Sequence, residues 1–373
     1  MRYLLFSSLI IMFSCNRTNN QNSDDIVYSI DSVIVDSKGK LLDLNRRIVI
    51  SDLDDEKRFL FLYNEFDHSI DEINLDRLEF TNNFSFNVEG PNGTGGYFNN
   101  FNILKNGFMF IKSFNKTGIF EKNGNLLRRI DWLNSIGTNG AKYGVIPKNE
   151  ILIGTDDLKV FGLRYNYESR DFSLDVLTIA ENNVIKLNLD SKESYSDLVL
   201  EIKDQEIYFD PYVYLKSEND FIIISHEFSN EIILYNHEGE FFRTINYNSR
   251  LTPNRVKAPK GINIGNREIL QKEFQKYLEQ VEFYPPVWDN LKKRYFRLSV
   301  VTVFREREVK DSFLPKVLET DVYLSVFDKN FDLINELKIP ELNFEEGKYF
   351  AKDGKLWVFQ NFSDELGFII IDI

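Results

Sequence analysis

The chain has 373 residues, with 58 acidic against 45 basic side chains, a formal charge of −13, 43% hydrophobic residues and 14% aromatic ones. This is the composition of a folded protein with an ample core, and the acidic balance argues against nucleic-acid binding, which requires a basic face. One cysteine and three histidines exclude an intramolecular disulfide and a cysteine-cluster zinc or iron–sulfur site, so neither a metal nor a cofactor is expected.

Met1-Arg2-Tyr3 opens the chain, and residues 4–13 are apolar apart from Ser7 and Ser8. A basic start before a short apolar run is signal-peptide chemistry; a spanning helix needs about 20 apolar residues. Next comes Met12-Phe13-Ser14-Cys15. A small residue immediately before a cysteine at this point resembles the bacterial lipobox, although Met12 and Phe13 depart from its usual leucine and smaller residue. The resemblance implies that 1–14 is a lipoprotein signal peptide and that Cys15 is lipidated; in an ordinary secretory signal the cysteine would be incidental. Residues 16–25 carry no apolar side chain, so 15–25 reads as a solvated tether, with a reach of at most about 33 Å for ten residues. Ser23-Asp24-Asp25 resembles the surface-export signal of Bacteroidota lipoproteins and reads equally as a charged linker.

From residue 26 onward short apolar runs rich in aromatic and β-branched residues alternate with turns of Asn, Asp, Gly and Lys, which is strand chemistry. Leu62-Tyr63-Asn64, Ile119-Phe120-Glu121, Leu234-Tyr235-Asn236 and Val326-Phe327-Asp328 share one pattern, with weaker copies at Ile179-Ala180-Glu181 and Ile370-Ile371-Asp372. Gly124 and Gly239 stand where two of the following hairpins need a positive φ. Steps of 57, 60, 55, 92 and 44 residues separate the copies. A repeat near 57 fits one four-stranded β-propeller blade with generous loops, whereas a β-sandwich predicts no even spacing. The last copy stops one strand short, and 26–35 is strand-like and unpaired. The expected fold is therefore all-β: a six-bladed propeller over 26–373, its last blade closed by the N-terminal strand.

Residues 89–96 are glycine-rich but lack the Gly-Lys-Ser/Thr ending of a phosphate cradle, and read as the loop entering the second blade. The long step holds an insertion at about 250–285. Within it Leu270, Phe274, Leu278 and Val281 recur at helical spacing over 266–281. The insertion is expected to cap one mouth of the channel and to set Tyr284, Trp288 and Arg294 beside it. With Asp289 and Arg297 these form the densest polar–aromatic cluster of the chain, suited to sugar rings or anionic ligands; the favoured reading, however, is that the aromatics pack between blades and the arginines pair with the acidic surface.

The order of these features resembles the six-bladed-propeller lipoproteins of Bacteroidota, in particular a family described only as a domain of unknown function. The residues that carry the resemblance are the lipobox, Glu89-Gly90-Pro91-Asn92-Gly93-Thr94-Gly95-Gly96, Tyr284-Pro285-Pro286-Val287-Trp288-Asp289, Arg294-Tyr295-Phe296-Arg297 and the Phe327-Asp328 repeat. It implies a surface or periplasmic lipoprotein and assigns no catalytic residue; the protein is expected to be monomeric and lipid-anchored in the outer membrane of a Gram-negative bacterium. A non-catalytic binding or scaffold module with a glycan or peptide ligand is the leading expectation. The alternative is a glycan- or peptide-directed hydrolase or lyase with its site at the channel mouth.

Overall fold

The computed structural model describes residues 27–154, 158–166, 171–189, 195–202, 207–259, 264–306, 313–343 and 347–373; Cys15 and the tether lie outside the described residues. Six sheets, blades 1–6 at residues 51–85, 98–130, 136–188, 213–245, 281–338 and 349–372, follow one another around a ring, each running from an innermost to an outermost strand and antiparallel except where Ile136–Gly137 pairs parallel with Asn183–Asn188. Blade 4 shows how the sequence dictates this. Its strands are Val213–Glu218, Phe221–His226, Ser229–Asn236 and Phe241–Ile245. Ile222, Ile223, Ile224, Ile232, Ile233 and Leu234 in the middle strands are all fully buried. A blade is covered on both faces by its neighbours, so its middle strands read as continuous apolar runs, while the outermost strand exposes Phe241 and Phe242. Successive side chains go to opposite faces: Ile222 and Ile224 pack towards blade 3, Ile223 towards blade 5. Among the described residues the core is accordingly six slabs, one at each junction of neighbouring blades, with a seventh, smaller cluster around Leu200, Ile202 and Leu270.

The ring closes as the sequence predicts. Ser29–Ile34 pairs antiparallel with Glu365–Asp372, from Ser29 opposite Asp372 to Ile34 opposite Gly367, and becomes the outermost strand of blade 6.

The repeat is real, but its first copy is out of phase. Asn236 and Asp328 end the third strands of their blades, and their side-chain oxygens each accept from two backbone amides of the following turn, Glu238 and Glu240 in one, Asn330 and Asp332 in the other. In blade 1 the residue doing this is Asn74, which accepts from Asp76 and Arg77. Leu62-Tyr63-Asn64 lies on the second strand, Phe59–Asn64, and Asn64 closes a different turn by accepting from Phe66. Both turns want an Asx side chain, which is why the two were confusable. With the copy moved to Ile73-Asn74 the first step shortens, so the even spacing was partly accidental although the architecture it indicated is correct.

The long step has two sources. One is the helix Arg267–Leu278, capped by Asn266, whose side chain accepts from Ile269 N at 2.9 Å. The other is a lengthened hairpin, Arg294–Phe304 with Val317–Asp328. Blade 5 is also irregular within: its innermost position is filled by Val281–Phe283 and Val287–Asp289 in succession, both pairing with Arg294–Phe304. Pro285-Pro286 breaks the ladder between them, since proline has no N–H to give. The predicted insertion is thus narrower than 250–285: Val256, Phe283 and Tyr284 are buried in the blades.

Candidate functional site: the propeller axis and its upper face

Each propeller face carries its own loops. The upper face bears the blade-to-blade connections and the turns between second and third strands; the lower face bears the other turns. The five residues of the predicted cluster all lie in or beside blade 5, but the structure does not gather them around an opening. Trp288 is buried against Tyr295, with 4.6 Å between ring centroids, at the lower end. Asp289 there meets Arg294 Nε at 3.2 Å, and Arg294 Nη2 donates to the carbonyls of Gly354 (3.1 Å) and Ile373 (3.3 Å), tying blade 5 to blade 6. Higher up, Arg297 is only 1% exposed. It donates to the carbonyls of Tyr284 (2.8 Å), Asn230 (2.7 Å), Ser229 (3.2 Å) and His226 (3.3 Å). The Tyr284 ring is buried in the slab between blades 5 and 6. A guanidinium and two aromatics crowded in sequence are what an inter-blade seam also requires.

The ionisable groups that face the axis were not legible as a motif. Lys348 immediately precedes the innermost strand Tyr349–Lys352 of blade 6, and its ammonium donates to Ser51 O in blade 1. Burial pushes its pKa down to about 7, with Lys216 and Lys57 adding to the fall and Asp52 and Glu218 opposing it. At the lower end Lys57 Nζ donates to Trp288 O at 2.6 Å and stands 3.9 Å from Glu218 Oε2, which in turn accepts from Trp288 N at 3.3 Å. Blades 1 and 4 are opposite one another in a six-bladed ring, so this contact crosses the axis and closes its lower end.

Lys348 gives a pH prediction. Its folded-state pKa lies below that of a free lysine (about 10.4), so between these values the unfolded chain binds the extra proton. Its contribution to stability is therefore poorest below pH 7 and improves as pH rises, at no more than about 1.4 kcal/mol per unit. Lys348→Met should raise the urea midpoint at pH 7 and flatten its rise between pH 7 and 10. An unchanged slope would show that the ammonium is well solvated.

The upper face is covered over blade 4 and its neighbours. Leu270 and Phe274 of the helix pack on the hairpin Leu200–Ile202/Ile207–Phe209, with Phe274 stacked on Phe209 at 4.1 Å and Phe313 at 5.1 Å from Phe209. Tyr277 donates to Glu227 Oε1 at 2.9 Å, and Glu227 Oε2 accepts from Tyr212 N at 2.8 Å. The helix lies on a face, as expected of an insertion for which a blade has no room, but Trp288 and Arg294 stand at the other end of blade 5. Over blades 6 and 1 the same face holds a cleft of 540 Å³ between residues 41–47, Phe66, Asn343 and residues 359–364.

The glycine-rich loop enters blade 2, as predicted. Gly95 has φ +97°, and a Cβ there would lie 2.4 Å from Ser113 Oγ; Thr94 Oγ1 bonds His68 Nε2 at 2.8 Å. Gly93 and Gly95 thus serve close packing, whereas a Cβ at Gly90 would meet open space. Among the described residues no group of three or more His, Cys, Asp or Glu side chains is placed to hold a metal ion.

The family described as Domain of unknown function (DUF4221) matches residues 21–338, and the chain belongs to it. The structure is similar to that of a DUF4221 member from Bacteroides vulgatus, with 14% identity, a TM-score of 0.63, and coverage of 92% of this chain and 96% of that one. It is also similar to a protein described as exported, from Bacteroides fragilis, with 10% identity, a TM-score of 0.51, and coverage of 93% and 95%. At these identities the likeness is one of fold. No curated protein matches the chain.

Proposed function

We propose that this DUF4221 protein is a lipid-anchored envelope protein of a Gram-negative bacterium, working as a non-catalytic binding or scaffold propeller through its upper face. The observation that carries the reading is the asymmetry of that face: folded cover over blade 4, an open cleft over blades 6 and 1. A propeller is a rigid disc whose loops carry function without chemistry being required. The anchor fits this arrangement. Ser29 pairs with Asp372 at the lower end of blade 6, so a tether from Cys15 would join the lower face and leave the upper face turned away from the membrane.

Cys15→Ser should yield an unprocessed or soluble protein on membrane fractionation; normal processing and membrane retention of the variant would refute the anchor. The non-catalytic reading is tested separately, by incubation with envelope polysaccharides, peptidoglycan fragments and peptides. Turnover of any of them would favour a hydrolase or lyase instead.

A further inference from the structure

We propose that the cleft over blades 6 and 1 binds a segment of neutral carbohydrate. This rests on the binding-module reading and gives it a site and a ligand class. Its 540 Å³ lies within the roughly 300–1,000 Å³ typical of small-ligand sites. Carboxamides dominate the polar lining: Asn45, Asn343, Gln360 and Asn361. A carboxamide both donates and accepts, as a sugar hydroxyl does, and the two charged lining residues, Arg47 and Asp364, are of opposite sign. The lining therefore favours neither an anion nor a cation.

Three of the carboxamides are already oriented, Gln360 by donating from Nε2 to Asn361 O at 3.1 Å. Asn343 Oδ1 accepts from Thr320 Oγ1 at 2.7 Å, and Asn361 Oδ1 accepts from Asp364 N at 2.7 Å. The oxygens of these two are thereby engaged and their NH₂ groups are left as donors towards a ligand. The apolar part is supplied by side chains a folded chain usually covers: Phe66 is 61% exposed and Leu41 68%, with Phe359 partly buried beside them. A pyranose ring has the matching dual character, apolar C–H faces and hydroxylated edges. Both walls are also held in left-handed backbone: Arg47 (φ 48°) and Ile48 (φ 51°) on one side, Ser363 (φ 55°) and Asp364 (φ 71°) on the other. A β-branched residue such as Ile48 adopts this conformation only under constraint, a feature that clusters at ligand sites. The constraint is visible: Ile48 is buried, its carbonyl accepts from Ser51 Oγ, and Lys348 N donates to Arg47 O. A fixed wall spends little ordering entropy on binding.

The test is saturation-transfer NMR and calorimetry of the full chain against neutral oligosaccharides from the glucan, mannan, galactan and xylan series, with acidic oligosaccharides and mixed peptides alongside. A neutral oligosaccharide should bind, and Phe66→Ala should weaken it at least about tenfold with the melting temperature unchanged. Asn343→Ala, which removes one donor and leaves Phe66 in place, should weaken the same ligand. Binding of acidic oligosaccharides or peptides alone would overturn the proposal while sparing the binding-module reading, as would neutral-sugar binding indifferent to both substitutions. Absence of any binding would overturn both.

Discussion

A chain beginning at Lys38 should be recovered as aggregate, whereas one beginning at Asp25 should melt with the full-length protein. The difference between them is the outermost strand of blade 6. Its loss strips six residue pairs from the ladder with Glu365–Asp372 and removes Val35, which is buried and donates its N–H to Leu366 O. Val33 leaves the slab between blades 6 and 1, and Tyr28 and Ile30 leave the slab between blades 5 and 6. At about 1.5–3 kcal/mol for a large apolar side chain when fully buried, and less for the partly buried Val33, Tyr28 and Ile30, that is still a large share of the net stability of a typical protein, about 5–15 kcal/mol. The strand left behind, with Leu366, Phe368 and Ile371 along it, would present an unpaired edge, the usual start of sheet-to-sheet aggregation. A single substitution probes the same seam. A Cβ on Gly367 would fall 2.5 Å from Val33 O and 2.5 Å from the Phe362 ring, so Gly367→Ala should push the two strands apart and lower the melting temperature of the intact chain. Size-exclusion chromatography and thermal melts decide the matter, and equal melting temperatures for the two truncations would reject the closure.

That seam was legible in the sequence because it is local at both ends: one strand-like segment without a partner, and one blade a strand short. The Asx-closed turns were legible for the same reason, each being a few residues long, and the slip at Leu62-Tyr63-Asn64 came from two turns of one blade using the same chemistry. The helix was legible from its 3.6-residue period; only its end was overrun, because Val281 had already joined blade 5. What sequence could not supply was the company each side chain keeps. Tyr284, Trp288, Asp289, Arg294 and Arg297 are dense along the chain, but a strand sends neighbouring side chains to opposite faces, and so to different blades. Lys348 and Lys57 are nearly 300 positions apart and converge on the axis only because the ring closes. The cleft has the same origin. Its walls come from residues 41–47 and 359–364, and no motif search joins segments so far apart.

Arg297→Leu should be among the most damaging single substitutions in the protein, lowering stability by about 3–5 kcal/mol once the unpaired acceptors relax and the melting temperature by on the order of 5–10 °C. The reason is a gap in the hydrogen-bond pattern. The carbonyls of His226, Ser229 and Asn230 lie at the turn joining the second and third strands of blade 4, and that of Tyr284 lies where Pro285-Pro286 interrupts the innermost strand of blade 5. Buried carbonyls at strand ends, where the register between these two strands of blade 4 shifts, still require donors. One guanidinium supplies them to four carbonyls from two blades, while its faces are flanked by Phe283 at 5.0 Å and Tyr247 at 6.0 Å. Leucine fills part of the volume but leaves four buried acceptors without this donor, each costing about 1–3 kcal/mol before relaxation. Arg297→Lys should rescue little, because a compact ammonium on a flexible stem does not reproduce a planar fork of five donors. Arg294→Ala, at the partly exposed lower end, should cost less than either. Chemical denaturation of the three variants, with oligosaccharide binding measured on the folded fraction of each, separates a seam from a site: a seam loses stability and keeps its ligand. If Arg297→Leu instead keeps its melting temperature and loses the ligand, the guanidinium belongs to a binding site and the assignment of the upper cleft falls with it.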